Sequence, residues 1–277
     1  MDYVTDKLSR QYKDTLFRTL FGDNKNFLEL YNAIANEHFP PDTIVKPYPS
    51  NELLAKFNDL AACIGDQLVV FFEHQSTDSI NMPLRLLSYA TDILYMHIID
   101  KKRLYDNIQV KIPTPKFYVL YNGIEKPRKR VLKLSDAFNT KESKPAMELT
   151  AKIIDINLNR REPALTRSTA LKGYSFLVEE IRKNKKSGVI GDQAVISAID
   201  TCIKLGVLKE FLTANYREVL DMLNWEYDAE ADMNAKREEG KREGVPIGAE
   251  LIVKLIKDGL SPEEALAQVK AMTHTVT

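Results

Sequence analysis

Leu68-Val69-Val70-Phe71-Phe72-Glu73-His74-Gln75 is the stretch that decides how this chain folds. Its first five residues are all apolar. Such a run does not alternate between core and water, so it predicts a strand covered on both faces. Three polar residues follow without a break, which puts polar groups at the end of a buried strand. Side chains two apart on a strand share a face. Glu73 and Gln75 therefore share one face, and His74 is expected on the opposite one.

Working outward, Lys56 to Ile64 reads as a partner strand, joined to the first through Gly65-Asp66. Before it, Asp6 to Ala35 is helical in pattern, with Leu16, Phe17, Leu20, Phe21, then Leu28, Leu30, Tyr31 and Ile34 at helical spacing. Gly22-Asp23-Asn24 divides this stretch into two helices, and Phe39-Pro40-Pro41-Asp42 ends it. After the central strand, Ser79 to Ile99 predicts an amphipathic helix. Lys116 to Tyr121 predicts a buried strand closed by the turn pair Asn122-Gly123, and Ile153-Ile154-Asp155-Ile156 a further one.

From about residue 165 the pattern is helical only, with helices near 166–184, 191–205, 207–223 and 225–242. Residues 235–244 are dense in alternating charge, the mark of a solvated helix face or tail. Ser261-Pro262-Glu263-Glu264 has the spacing of a capping box with a first-turn proline. The expected fold is α/β, a mixed sheet flanked by helices with an all-α C-terminal region. The expected division is a core over residues 1–162 and a helical region with a charged tail over 163–277.

The 277 residues carry 39 basic and 39 acidic side chains, 44% apolar residues and 28% charged residues. That composition is ordinary for a globular protein and excludes a disordered, collagen-like or disulfide-framed chain. Zero formal net charge excludes a general polyanion-binding coat, though not a local basic groove. Cys63 and Cys202 read as buried free thiols in a reducing compartment. The start MDYVTDKLSR lacks an apolar segment, and no 18-residue apolar run occurs, so a cytoplasmic protein with no membrane contact is expected. No glycine-rich phosphate loop is present, which leaves ATP or NAD dependence unsupported.

The chemistry turns on Asp59, in the first strand of the hairpin. A two-residue Gly65-Asp66 turn would set Asp59 opposite Phe72, on the wrong face. A three-residue loop or one bulge would set it opposite Glu73, because a slip of one residue flips the face. If Asp59, Glu73 and Gln75 converge, two carboxylates and an amide meet at the edge of an apolar sheet. A divalent cation relieves their repulsion, and an all-oxygen set suits magnesium. Such an ion lowers the pKa of a bound water and stabilises charge on a phosphate.

Asp59 followed by Glu73-x-Gln75 after an apolar strand resembles the PD-(D/E)XK nuclease signature, with glutamine in place of the lysine. The wider context resembles the bacterial Rpn family of recombination-promoting nucleases and transposase-like proteins. The residues that carry this are Asp14-x-x-Phe17-Arg18, Asp59-Leu60, Phe72-Glu73-His74-Gln75-Ser76, Arg85-Leu86-Leu87-x-Tyr89 and Tyr118-Val119-Leu120-Tyr121-Asn122-Gly123, with an echo in the charged tail. The resemblance spans about residues 10 to 160. It implies a restriction-endonuclease-like core and DNA cleavage dependent on magnesium or manganese. By the same resemblance, Asp59, Glu73 and the His74 backbone carbonyl hold the metal. Gln75 takes the lysine's place, and Asp14 is an auxiliary carboxylate.

Glutamine can orient a water but brings no positive charge, a departure that bears on the rate. Arg85, one turn before Tyr89, is either a packing and ion-pair residue or a phosphate contact at the site. Arg128-Lys129-Arg130 is either a solvated turn or a DNA-backbone contact. The expected partner is DNA, with a homo-oligomer compatible. The competing expectation is a catalytically weak nuclease-fold scaffold that binds DNA or serves assembly.

Overall fold

The computed structural model describes residues 16–48, 60–224, 242 and 248–275. Two helices, α1 (Leu16–Phe21) and α2 (Asn24–Ala35), precede the sheet. Asp23 separates them and caps α2, accepting from the backbone N–H groups of Lys25 and Asn26 at 3.0 and 3.1 Å. The strands are β1 (Val45–Tyr48), β2 (Leu60–Ile64), β3 (Leu68–Gln75), β4 (Thr114–Tyr121), β5 (Val131–Lys133) and β6 (Thr150–Asp155). They form one mixed sheet in the order β1-β2-β3-β4-β6-β5. The β1–β2, β2–β3 and β5–β6 pairs are antiparallel, and β3–β4 and β4–β6 are parallel. Helix α3 (Met82–Ile93) makes the crossover between β3 and β4.

The apolar run occupies a central strand because only there are both faces covered. On one face, Val69 and Phe71 join Met82, Leu86 and Tyr89 of α3. On the other, the Phe72 ring meets Phe27 of α2 at 5.1 Å and Tyr118 at 5.7 Å. The β2–β3 loop has three residues, since Ile64 pairs with Leu68. Gly65 and Asp66 are both left-handed (φ 54° each), and Gln67 N–H donates to the Ile64 carbonyl at 3.0 Å. Two successive left-handed residues match the twist of the flanking strands, and Gly and Asp tolerate that conformation best.

Two strands come without a sequence signal. β1 is a short edge strand containing Pro47, which an edge tolerates. β5 is a three-residue edge with an exposed-buried-exposed pattern. The helix expected over 79–99 is α-helical only to Ile93 and continues as a π turn over Leu94–Ile98. The region expected as one helix over 207–223 is broken at Asn215.

Helices α4 (Ala164–Arg167), α5 (Thr169–Lys186), α6 (Asp192–Lys204) and α7 (Lys209–Ala214) follow the sheet. Ser168 caps α5 through its bond from Leu171 N–H, and its hydroxyl donates to Glu29 of α2 at 2.7 Å, which ties the two helices together. The chain divides into two compact units, residues 1–223 and 224–277, and the expected boundary at 162/163 falls inside the first. In the second, Ser261 and Glu264 form the reciprocal capping box that opens the helix Pro262–Thr275. The charged stretch 235–244 lies outside the described residues except for Arg242. Cys63 and Cys202 are buried and free.

Candidate active site

The pleat of β3 sorts its polar end into two environments. Glu73 is 1% exposed, yet it faces a cation. Arg85 of α3 donates from Nη2 to Glu73 Oε2 at 3.0 Å, with 40% of the arginine side chain open to solvent. Arg85 Nε donates to the Tyr89 hydroxyl at 3.2 Å, so the residue one turn further on holds the guanidinium in place. Gln75 shares this face by the two-residue period and is partly exposed. Its backbone carbonyl accepts from Asn122 N–H at 3.0 Å, which ties the ends of β3 and β4 together. The arrangement is a closed-in carboxylate with a half-open mouth of arginine, tyrosine and amide.

His74 points the other way, as expected. Its ring stacks on Phe17 with centroids 5.1 Å apart, and its Nε2 shares a hydrogen bond with the Tyr174 hydroxyl at 2.9 Å. Burial, and secondarily the charge of Arg182, push its pKa from 6.5 down to about 3. The imidazole is therefore neutral near pH 7 and belongs to the aromatic packing between sheet and helices.

Asp14 and Asp59 lie outside the described residues. The Leu60↔Phe72 pairing is the odd-loop register that an Asp59–Glu73 pairing requires. Among the described residues, no group of three or more His, Cys, Asp or Glu side chains is placed to hold a metal ion. Glu73 and Gln75 offer an anionic and a neutral oxygen on one face, a donor set that suits a hard divalent cation once a second carboxylate joins it.

The basic run is ion-paired throughout. Arg128 meets Asp78 at 3.7 Å, Lys129 meets Asp136 at 2.7 Å and Arg130 meets Glu162 at 3.7 Å. These exposed pairs lower the local positive charge a phosphate would feel.

A second polar group at the neighbouring strand ends was given no role from sequence. Gln75, Tyr121 and Asp155 are in register across β3, β4 and β6. Asp155 is fully buried and accepts from Asn157 Nδ2 at 2.8 Å, with Arg160 at 3.4 Å. Asn157 Nδ2 also donates to the Gly123 carbonyl at 2.9 Å, and Arg182 of α5 donates to Asn157 Oδ1 at 2.8 Å and to the Asn122 carbonyl. Gly123 is obligatory here, because a Cβ would lie 2.5 Å from the Ser76 carbonyl. The spacing Asp155-x-Asn157 after an apolar strand repeats that of Glu73-x-Gln75 and is the signal that could have found this group. Arg182, 25 residues beyond Asn157 on a helix, has no such signal.

No helix among the described residues is long and apolar enough to cross a membrane. A family model described as "Putative transposase, YhgA-like" matches residues 65–201, from the β2–β3 loop into α6. No curated protein and no solved structure matches the chain.

Proposed function

For a chain whose residues 65–201 match a model of YhgA-like putative transposases, in line with its sequence resemblance, we propose metal-dependent hydrolysis of DNA phosphodiester bonds. The family description itself goes no further than a transposase-related role. The observation that carries the finer reading is Glu73: a carboxylate 1% exposed at the end of a central strand, with Gln75 on its face and a guanidinium at 3.0 Å. Buried carboxylates at strand ends are costly unless a charge meets them, and they cluster where a reaction uses them.

In this reading Asp59, Glu73 and the His74 main-chain carbonyl hold magnesium or manganese. The ion supplies a water of lowered pKa and a counter-charge for phosphate. Gln75 orients the attacking water through its amide. Arg85, open to solvent on its outer side, turns from Glu73 towards the non-bridging phosphate oxygens. Such breaks in DNA would serve recombination or transposition.

The competing scaffold reading draws on Gln75 and on the Arg85–Glu73 pair, since a metal must compete with a resident cation. Cleavage of supercoiled plasmid by the purified protein separates the two. Nicking that needs magnesium, stops with EDTA and is lost in Glu73→Ala is the expected result. Nicking that survives Glu73→Ala refutes this site, and a wild-type protein that binds DNA without cutting it supports the scaffold.

A further inference from the structure

At the carboxyl ends of β4 and β6, one guanidinium has no carboxylate at ion-pair distance among the described residues. Arg160 is met by Asp155 at 3.4 Å. Among the described residues, Arg182 is met by neutral oxygens, the Asn157 side-chain amide and the Asn122 main-chain carbonyl. Among the described residues no carboxylate lies within ion-pair distance of Arg182, whereas Arg85, Arg128, Lys129 and Arg130 each have one. A partly buried guanidinium that has lost water without gaining an anion is a favourable place for an anion to bind. It has five N–H donors in a planar fork, and the two bonds seen here leave donors to spare.

Position identifies the anion. Asn122, whose carbonyl holds Arg182, donates its N–H to the Gln75 carbonyl at 3.0 Å. Arg182 therefore stands one to two strand spacings from the Glu73–Gln75 strand end, about 5–10 Å. Two or three nucleotides of a DNA strand cover about that distance, at about 3.4 Å of axial rise each. Ligands of open α/β sheets bind at the carboxyl ends of the strands, which is where this cation sits.

We propose that Arg182 is a DNA-backbone contact that seats a phosphate near the one to be cut, pre-set by Asn157 and Asn122. This rests on DNA being the substrate, as proposed above. The bland alternative is a tether that only fixes α5 to the strand ends.

The test is binding of a short DNA duplex to the full-length protein in EDTA, titrated with salt. Variants are Arg182→Gln, Arg182→Lys, Asn157→Ala and Arg128→Gln. The expected result for Arg182→Gln is a several-fold loss of affinity and a log–log salt slope smaller by about one. Arg182→Lys keeps the charge and should keep the slope, as should Asn157→Ala, which removes one acceptor of Arg182 together with the bonds to Asp155 and Gly123 but leaves the guanidinium charge. Arg128→Gln should leave it nearly unchanged. An unaltered slope in Arg182→Gln overturns the proposal, as does an equal fall in slope in Asn157→Ala, which keeps the guanidinium charge. A wild-type protein that binds no DNA overturns the substrate reading itself and the proposal with it.

Discussion

Glu73 and His74 are adjacent in the chain and differ in almost everything else. Glu73 faces α3, where a half-exposed arginine meets its buried carboxylate. His74 faces α1 and α5, where Phe17 and Tyr174 enclose a neutral ring. One step along a strand changes the face, so one step separates a site for charge from a piece of core. Each face can then be optimised alone: the α3 face keeps an opening to solvent, and the opposite face supplies the rigidity that holds it in place.

Three changes would break or sharpen this contrast. The largest effect belongs to the packed face. Phe17 is fully buried and its ring meets Phe21 at 4.8 Å as well as His74. Phe17→Ala should cost about 3–4 kcal/mol of unfolding free energy in denaturant titrations. A loss under about 1 kcal/mol would show that this face is not the core it is taken for here.

Next comes an asymmetry on the charged face. Arg85→Ala takes a guanidinium from a carboxylate that is 1% exposed, whereas Glu73→Gln takes a charge from beside a guanidinium already 40% open to water. The first should cost about 2 kcal/mol, reduced from the fully buried case by solvent at Arg85, and the second less than about 1 kcal/mol. Thermal melts of both variants check this, and the reverse order would mean that Arg85, not Glu73, is the costlier charge to leave without its counter-charge.

The third effect is carried by pH. His74 titrates near 3 when folded and near 6.5 when unfolded, so between those values the unfolded chain binds the extra proton. Its contribution to stability is whole above pH 6.5 and is lost as the pH falls through the window, about 2 kcal/mol by pH 5. Stability measured against pH should therefore fall less steeply between pH 6.5 and 5 in His74→Gln than in the wild type. Parallel curves would place a protonated His74 in the folded state.

Much of the fold could be read because its signals are local. The doubly covered run at 68–72 marks the central strand, Gly22-Asp23 the break between α1 and α2, and Ser261-x-x-Glu264 the final cap. The edge strands β1 and β5 could not be read, since three or four residues paired on one side carry little periodicity of their own. Of the site, the face shared by Glu73 and Gln75 followed from spacing alone.

What the amino-acid sequence determined by itself is therefore what a period or a turn encodes: element type, and which side chains share a face. Tertiary structure decided the partners. Arg85 closes on Glu73 because α3 crosses from β3 to β4, and Tyr174 meets His74 across 100 residues because α5 packs on the opposite face. It decided the register as well, since the three-residue loop fixes which residue opposes which. Among the described residues, the same step left Arg182 without a carboxylate while pairing every member of the 128–130 run. Pairing across space depends on packing of whole elements, and no local pattern of residues encodes it.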